Sequence, residues 1–570
     1  MKKAVLNKYP KRQLVMKILE YALPAIHFIL TFFLERKLFV FSGNFDFVNE
    51  IARNDYISDK AEMVIVYMLS KLVAAIIIWL IWKFIFKVIK GRIDKKPVIL
   101  FGIIFLIGAV MGLFYTPAMT SAPIDDYTTY SMAIRFLPTY WQSIYTGVAY
   151  AASMMLFPHP FGLFLIKWLA FTATVGYIYI GMEKTFVGKN YKYAALIFFF
   201  LPESYSIVFE FYRNNYYAIL CLFYFAYLVF TLRNKEKAFK MTEMIAMAIL
   251  SGFIMVWRSE GILFGIGGML ILLVAYRIKW KKMLVLIAVF VCSFLLTSSI
   301  QDIGSKKYYG EDYMIVNTAD VLCSIFNNPS ANLSYEGVED DLLAIESVVP
   351  VQVLKEEGLT GYRNYNWTCG RPNFNQSLAD DEAAANYMSA YYNIIYNNLA
   401  TYLDVQTTNF FAALDIDARR TVYGYSGEKV TFLENFEYTR WQVGLEEVKD
   451  TFLTEKWEVN FIRMQGLILV YRIIMAVRDL WVATGLTSIM HSGFLIASVL
   501  IFIVEASKAL IYKEKKSWEY FVYFTVLIGE LAALFLFMPV ARAAYFYPVL
   551  YVSYFLIFFY FAERQNKKLN

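Results

Sequence analysis

Two adjacent carboxylates, Asp125 and Asp126, lie in a polar stretch between two apolar runs at 97–115 and 161–181. Carboxylates at a partly dry surface lose hydration, so they need partners or a chemical role. A carboxylate in such a place can take a proton from a hydroxyl or amine nucleophile, as a general base does. We therefore take the loop 116–160 as the candidate active site. The structural alternative is a helix N-cap, for which Asp is a common residue.

The same loop closes with a rigid Pro158-His159-Pro160 triplet, directly before the second apolar run. Histidine is a frequent acid or base near neutral pH. A lone histidine between prolines is also typical of a rigid loop with no chemical role. We therefore assign His159 a supporting place beside the two catalytic candidates.

Three arginines, Arg213, Arg258 and Arg542, each stand at the end of an apolar run. The planar guanidinium group binds phosphate in a bidentate way and stays charged, so these side chains could hold the phosphate of a lipid carrier. Glu260 would orient Arg258, and Tyr545 would line the same site. The alternative is that arginine and tyrosine simply anchor helix ends at the membrane interface.

The elements that must position these residues are membrane helices. Of the 570 residues, 59% are hydrophobic, 18% aromatic and only 18% charged, which indicates a polytopic all-α membrane protein. Apolar runs of the length that crosses hydrocarbon recur along the chain. They predict about twelve transmembrane helices, at 14–34, 63–82, 97–115, 161–181, 193–211, 216–232, 243–257, 261–276, 283–300, 489–507, 518–538 and 543–562.

The lysine and arginine clusters between these runs predict the orientation. With the twelve spans above, all of them fall on one side, which the positive-inside bias makes the cytoplasmic side. The clusters are at 2–12, 83–96, 184–192, 233–240, 277–282, 508–516 and 564–568. We expect a multi-pass protein of a bacterial cell membrane with both termini in the cytoplasm, and all the candidate site residues outside it.

Two further apolar stretches, 141–157 and 462–483, would invert this orientation if they crossed the membrane, so we predict helices lying along the outer surface. The long polar segment 301–488 is expected to be a mostly helical soluble insertion. The predicted organisation is an N-terminal helix pair, a transmembrane core, an extracytoplasmic domain and C-terminal membrane helices, at 1–96, 97–300, 301–488 and 489–570.

Several function classes are disfavoured. The net charge of +7 is spread over short clusters rather than a basic face with aromatics, so nucleic acid is not an expected partner. We find no nucleotide-binding loop and no Cys/His metal spacing. The sequence predicts no metal ligands and leaves the need for a divalent metal open. Cys323 and Cys369, both in the polar segment, could form a disulfide in an oxidising compartment or remain thiols.

Acidic residues within the apolar runs are a separate group. Glu203 and Glu530 are by default functional candidates, since charges inside a membrane are costly. They could pair with Lys71 or Lys167 inside the bundle. They could instead relay protons, as a transporter would require.

The candidate loop resembles that of a known family. An apolar helix, an outer loop with the pattern D-D-Y-x-x-Y from Asp125, an interfacial helix and P-H-P-F before the next span resemble the first extracytoplasmic loop of GT-C-type glycosyltransferases. That superfamily includes the protein mannosyltransferases and the lipid A aminoarabinose transferases. The segment R-A-A-Y-F-Y-P from Arg542 is similar to an arginine–tyrosine–proline element of these families, and Arg258 to an arginine they often hold at a helix end.

This resemblance implies an integral membrane glycosyltransferase that moves a sugar from a polyprenyl-phosphate carrier to a glycan, lipid or protein outside the cytoplasm. Asp125 would be the base or would orient the acceptor, with Asp126 next to it. Arg258 and Arg542 would hold the carrier phosphate, and 301–488 would cover the site or select the acceptor. The sequence departs from the family in having two helices before the loop-bearing one. The open alternatives are a lipid-linked saccharide polymerase or ligase, a transporter or flippase, and a membrane assembly factor.

Overall fold

The computed structural model describes most of the predicted membrane helices and part of the polar segment. The described residues are 10–34, 60–115, 129, 132–138, 143–157, 161–201, 203–204, 214–233, 241–258, 261–276, 280–305, 312–356, 381–414, 416, 480, 484–538 and 543–569. The regular elements in these ranges are all helices. The expectation of an all-α fold is therefore confirmed for this part of the chain.

The chain divides into two compact units, of which the first comprises residues 1–219 and 430–478. Its helices are α1 (Pro10–Leu34), α2 (Lys60–Ile89), α3 (Lys95–Tyr115), α4 (Ile144–Leu156), α5 (Phe161–Thr185) and a 3-10 helix (Asn190–Phe200). Three of them, α2, α3 and α5, are long and apolar on all sides, as expected for segments that lose contact with water.

The second unit comprises residues 220–429 and 479–570 and contains most of α6 (Asn214–Arg233). Its membrane-type helices are α7 (Met241–Trp257), α8 (Ile262–Tyr276), α9 (Trp280–Ser305), α15 (Leu486–Leu510), α16 (Lys515–Phe537) and α17 (Tyr547–Leu569). Its polar segment forms α10 (Asp312–Phe326), α11 (Val338–Val348), α12 (Val351–Glu356), α13 (Asp381–Asn397) and α14 (Leu399–Ala413).

Among the described residues, eight helices are long and apolar enough to cross a membrane: α1, α2, α3, α5, α6, α9, α15 and α16. The predicted spans at 243–257 and 261–276 are the helices α7 and α8, with 17 and 15 residues. Their lengths are below the roughly 20 residues that a span needs. The tyrosine-rich helix α17 covers the last predicted span.

The structure departs from the prediction at 193–211. Residues 190–200 form a 3-10 helix, and Leu201 is extended, as is usual for a residue before proline. Residues 205–211 of the predicted span lie outside the described residues, so the crossing of the membrane by this run stays a prediction. The apolar run predicted an α-helical span here because composition does not reveal the helix type.

The predicted surface helix at 141–157 is also different in detail. Its helix α4 has 13 residues, and Ser143 caps it by accepting from the backbone N–H of Tyr145. Eleven of those 13 residues are buried, with α4 packed against α2 and α5. It is therefore enclosed by protein instead of lying exposed on a surface. The reason is that α4 is apolar on all sides and lacks the polar face of an interfacial helix.

The polar segment is helical where it is described, as predicted. Helices α10, α11, α13 and α14 share a hydrophobic core in which Cys323, Tyr387 and Ile394 are fully buried. Asp341 of α11 accepts hydrogen bonds from Tyr335 at 2.8 Å and from Asn393 of α13 at 3.1 Å. Burial and this carboxylate raise the pKa of Tyr335. Cys369 lies outside the described residues, so its pairing with Cys323 stays a prediction.

Helices α3 and α5 meet closely at two glycines. A Cβ at Gly108 would lie 2.3 Å from the ring of Trp168, and one at Gly112 would lie 2.1 Å from the ring of Phe164. The spacing of four residues puts both glycines on one face of α3, as in the Gly-x-x-x-Gly contacts of membrane helices. The Trp168 indole also donates to the Phe105 carbonyl at 2.9 Å. Side chains at 108 and 112 would force these helices apart.

Salt bridges connect three helices at one end of the second unit. Arg233, at the end of α6, pairs with Glu519 of α16 at 2.8 Å and with Glu563 of α17 at 3.0 Å. Glu563 also accepts hydrogen bonds from Lys516 and Tyr520 of α16. The end of α6, the start of α16 and the end of α17 are therefore at the same end of this unit.

Glu505 of α15 lies at the same end of the unit. Its side chain has no exposed surface, and its Oε1 accepts from Tyr560 at 2.9 Å, from Lys508 at 3.2 Å and from Arg564. A buried carboxylate is tolerated here because three donors compensate for its lost hydration. We call this set of contacts, together with those of Arg233 and Glu563, the charge network.

Substituting Gly112 by Val should destabilise the protein by about 2 kcal/mol, because the added atoms overlap the Phe164 ring. Thermal unfolding in detergent micelles should show a melting temperature lower by several degrees. The matched control is Gly102→Val on the same helix, where a Cβ meets nothing within 4 Å. Equal melting temperatures for the two variants would contradict the close contact.

Glu505→Gln should cost about 2 kcal/mol, because it removes the charge that the partly exposed Lys508 and Arg564 side chains contact. Glu514→Gln, at an exposed position that follows α15, should change stability by less than about 0.5 kcal/mol. Chemical unfolding in micelles measures both. Adding Arg564→Gln to Glu505→Gln should cost less than the sum of the single changes, because the two residues are coupled; strict additivity would mean that they are not.

Candidate functional site

Two of the predicted site residues, Arg258 and Tyr545, are among the described residues, and the structure brings them together. The six others lie outside the described residues: Asp125, Asp126, His159, Arg213, Glu260 and Arg542. Their places in the site stay predictions.

Arg258 follows the last residue of α7, and Tyr545 ends the short 3-10 turn Ala543–Tyr545 before α17. The Arg258 guanidinium carbon is 5.8 Å from the centre of the Tyr545 ring, within the range of a cation–π contact. Both side chains are half-buried. The backbone carbonyl of Arg258 accepts from the N–H of Gly261 at 3.0 Å, which holds the turn between α7 and α8.

This contact is compatible with phosphate binding. A cation–π contact uses the face of the guanidinium plane, whereas bidentate binding of a phosphate uses N–H groups that lie in that plane. An aromatic partner also restricts the arginine side chain, which lowers the entropy lost when an anion binds. Contact with the Tyr545 ring is therefore compatible in geometry with anion binding by the Arg258 guanidinium.

The Arg258–Tyr545 pair lies at the end of the second unit opposite the charge network. Helix α17 begins at Tyr547, next to the pair, and reaches the network at Glu563. With a rise of 1.5 Å per residue, these two positions are roughly 24 Å apart along the helix. The pair and the charge network are therefore at opposite ends of α17, and which end faces the cytoplasm stays a prediction.

Helix α14 of the polar segment packs against the same end of the bundle. The Tyr402 hydroxyl donates to the Leu536 carbonyl in the last turn of α16 at 2.9 Å. The Phe410 ring lies 5.7 Å from that of Phe535 and 5.1 Å from that of Phe546. Phe546 adjoins Tyr545, so α14 is in contact with the turn that carries the tyrosine of the pair.

A third contact fixes the C-terminal end of α14. The Leu414 carbonyl lies 2.7 Å from Nδ1 of His491, in the first turns of α15. A carbonyl can only accept, so Nδ1 carries the proton and donates. His491 is 4% exposed, and this histidine therefore has a structural hydrogen bond that anchors the polar segment to α15.

His491 also lines a small cavity with Ser498 of α15 and Ser553 of α17. Its cavity volume is about 10 Å³, room for about one water molecule and far below the usual range for small-molecule sites. The Ser498 hydroxyl in it is buried and makes no hydrogen bond to a described group. The cavity is too small to hold a lipid-linked sugar, so it is separate from the candidate site.

Arg135, which the sequence reasoning missed, is buried within the candidate loop. It is 1% exposed and comes directly before Phe136, which has a positive φ of 56°. The N–H of Phe136 bonds to the Ala133 carbonyl and that of Leu137 to the Met132 carbonyl, the pattern of a helix end that usually has glycine at this position. An aromatic residue there is strained by about 1 kcal/mol or more.

The Phe136 ring meets Tyr67 of α2 edge to face, with the ring centres 5.1 Å apart, and this contact helps to offset the strain. The signal for Arg135 was available in the sequence, as a charged residue in the apolar string M-A-I-R-F-L-P within the candidate loop. A buried arginine beside a strained backbone is typical of a functional site. We therefore add Arg135 to the candidate residues of the loop.

The ionisable residues within the apolar runs are buried, as predicted. Glu203, Glu530 and Lys167 are 1%, 3% and 2% exposed. The Lys71 ammonium donates to the Thr31 hydroxyl at 2.9 Å and lies 3.9 Å from the centre of the Phe32 ring. Lys71 thus joins α1 to α2 through a hydroxyl and an aromatic ring, in addition to any carboxylate partner.

Comparison of the chain with protein-family models, with curated proteins and with solved structures finds no match. The described residues contain no group of three or more His, Cys, Asp or Glu side chains placed to hold a metal ion.

Replacing Phe410 by Ala should loosen α14 from the bundle, because it removes both ring contacts and leaves a cavity costing about 3 kcal/mol. Hydrogen exchange should become faster in residues 399–413 and 543–550. Phe411→Ala, which removes a neighbouring half-exposed ring, should cost about 1 kcal/mol or less and leave exchange at 543–550 unchanged. Unchanged exchange in Phe410→Ala would show that α14 is not held by these rings.

Proposed function

We propose that this protein is an integral membrane glycosyltransferase that transfers a sugar from a polyprenyl-phosphate carrier to an acceptor outside the cytoplasm. The acceptor is a glycan, lipid or protein of a bacterial cell envelope. One observation carries the proposal: Arg258 and Tyr545, selected from the sequence as phosphate-binding residues, come from distant parts of the chain and are in contact. The resemblance of the loop 116–160 to GT-C enzymes supplies the reaction class.

The proposed chemistry uses the acidic pair and the arginines in different roles. Asp125, with Asp126 beside it, takes the proton from the acceptor hydroxyl as its oxygen bonds to the anomeric carbon of the sugar. The bond between that carbon and the carrier phosphate oxygen breaks, and the polyprenyl phosphate leaves with the electron pair. Arg258, Arg542 and Arg213 stabilise the charge on the departing phosphate.

Inversion at the anomeric carbon needs one base and a leaving group but no covalent enzyme intermediate. The activated donor supplies the energy, so the reaction needs no nucleotide hydrolysis. In this proposal Tyr545 positions the Arg258 guanidinium, while Glu260 and His159 support the site. The segment 301–488, which includes α14, would cover the site or select the acceptor.

The test is release of carrier phosphate by the full-length protein in nanodiscs, given a panel of polyprenyl-phosphate sugars and an envelope extract as acceptor. Asp125→Asn should lower kcat by about 100-fold or more, since it removes the base. Arg258→Met should lower it by a similar factor, about 100-fold, through loss of phosphate stabilisation. Lys281→Gln, an exposed change at the start of α9, is the matched control and should keep full activity.

If no donor in the panel releases carrier phosphate, or if Asp125→Asn remains fully active, the proposal is wrong. Tyr545→Leu adds a specific check. It should raise KM for the donor more than it lowers kcat, because it acts through the position of Arg258. A longer saccharide chain as product would assign the protein to the polymerase or ligase class, which uses the same carrier.

A transporter or flippase of lipid-linked saccharides is the second candidate, and buried Glu203 and Glu530 favour it. Both carboxyl groups lie within apolar sequence at 3% exposure or less, where a transport pathway would need ionisable groups. In proteoliposomes this function would move the lipid-linked sugar across the membrane without forming a glycosidic bond. Glu203→Gln would then abolish activity, and Asp125→Asn would not.

A further inference from the structure

Helices α13 and α14 expose four large side chains, two before Asn398 and two after it. Tyr392 and Tyr396, one turn apart on α13, are 60% and 83% exposed, and Leu399 and Leu403, one turn apart on α14, are 52% and 41% exposed. Isolated apolar residues on a surface are ordinary. Here two pairs follow each other along two consecutive helices, and we call the four residues together the aromatic–leucine stripe.

The stripe is not the result of loose packing. The other faces of the same helices are fixed in the core of the polar segment, where Tyr387, Ile394 and Val405 are at most 3% exposed. Asn398, at the break between the helices, is itself buried and accepts from the backbone N–H of Asn332 at 2.7 Å. The side chains of the stripe are therefore directed outward by well-packed helices.

The position of α14 indicates what covers the stripe. Tyr402, the residue before Leu403, is hydrogen-bonded to the Leu536 carbonyl in the last turn of α16, one of the helices that can cross a membrane. Leu536 and the next residue, Phe537, are 42% and 74% exposed. The stripe thus starts at the level where an apolar span ends, which is the boundary between headgroups and acyl chains.

The chemistry of the stripe suits that boundary. Tyrosine is enriched at membrane interfaces because its ring is apolar while its hydroxyl can reach water. Residues 381–413 contain Asp381, Glu382 and Asp404 but no lysine or arginine. Attraction to anionic lipid headgroups therefore cannot hold these helices, and contact with the membrane would depend on apolar insertion alone.

We propose that the aromatic–leucine stripe inserts into the interfacial region of the bilayer and holds the polar segment against the membrane surface. This contact, together with the bonds from Tyr402 and Phe410, fixes α14 over the end of the bundle that carries Arg258 and Tyr545. The lipid contact does not depend on which reaction the protein catalyses. A protein without glycosyltransferase activity would show the same contact.

The experiment places an environment-sensitive fluorophore at Tyr396→Cys in the full-length protein in nanodiscs, with Cys292→Ser and Cys369→Ser to prevent labelling elsewhere. The quencher is a phosphatidylcholine with a nitroxide at the fifth carbon of an acyl chain. We expect emission from the labelled protein to fall by at least about half, since the nitroxide and the label then share one depth of the bilayer. A second label at Leu403→Cys should behave in the same way.

The matched control is a label at Leu343→Cys on α11. Leu343 is a large apolar residue of the same segment that is 67% exposed, and its emission should not change with the quencher. Raising the salt concentration to 1 M should leave the quenching at 396 unchanged, because no basic residue contributes.

Three results would overturn the proposal. Absence of quenching with a red-shifted emission at 396 would place the stripe in water. Absence of quenching with a blue-shifted emission would mean that protein covers it, either residues 462–483 or a second copy of the chain. Equal quenching at 343 and 396 would show that the effect is not specific to the stripe. Size-exclusion profiles like that of the unlabelled protein establish that the labelled variants are folded.

Discussion

The absence of hydrogen-bonding solvent around apolar helices is the constraint on which the rest of this structure depends. A charged group along such a helix must find its partners inside the protein or reach an end. At one end of the second unit, Arg233, Glu505 and Glu563 accordingly share donors and acceptors from four helices. At the other end, within the described residues, Arg258 lies against the Tyr545 ring. Helix α17 runs from one of these ends to the other, and the two ends differ in the side chains they carry.

In the first unit, close packing holds helices together. Because lipid chains are as apolar as leucine, burial alone does not draw membrane helices together. Their association depends on close van der Waals packing between complementary helix surfaces. Gly108 and Gly112 provide it by admitting the rings of Trp168 and Phe164. Lys71 shows how a charge can be kept in this setting, since its ammonium group is met by a hydroxyl and the face of an aromatic ring. These contacts hold α1 to α2 and α3 to α5 within the first unit.

Within the described part of the second unit, helix α14 connects the core of the polar segment to the membrane-type helices. One face of α14 completes the hydrophobic core of α10, α11 and α13, while the other meets α15, α16 and the turn before α17 through His491, Tyr402 and Phe410. Because α14 is held on both sides, it fixes the turn carrying Tyr545 relative to the core of the polar segment. The hydrogen bond of His491 and the cation–π contact of Arg258 are therefore linked through α14 and the turn before α17.

The sequence by itself determined the class of the protein and the bounds of most long helices, because runs of apolar residues have few alternatives to helix in a medium without water. It also selected Arg258 and Tyr545 from residue type and position. It did not predict the 3-10 helix at 190–200, the enclosure of α4 or the burial of Arg135, since composition carries neither helix type nor neighbours. Only the tertiary structure decided that Arg258 lies against Tyr545 and that α14 reaches the same end. Contacts between residues far apart in the chain depend on how helix surfaces fit, and hydrophobic periodicity does not encode that fit.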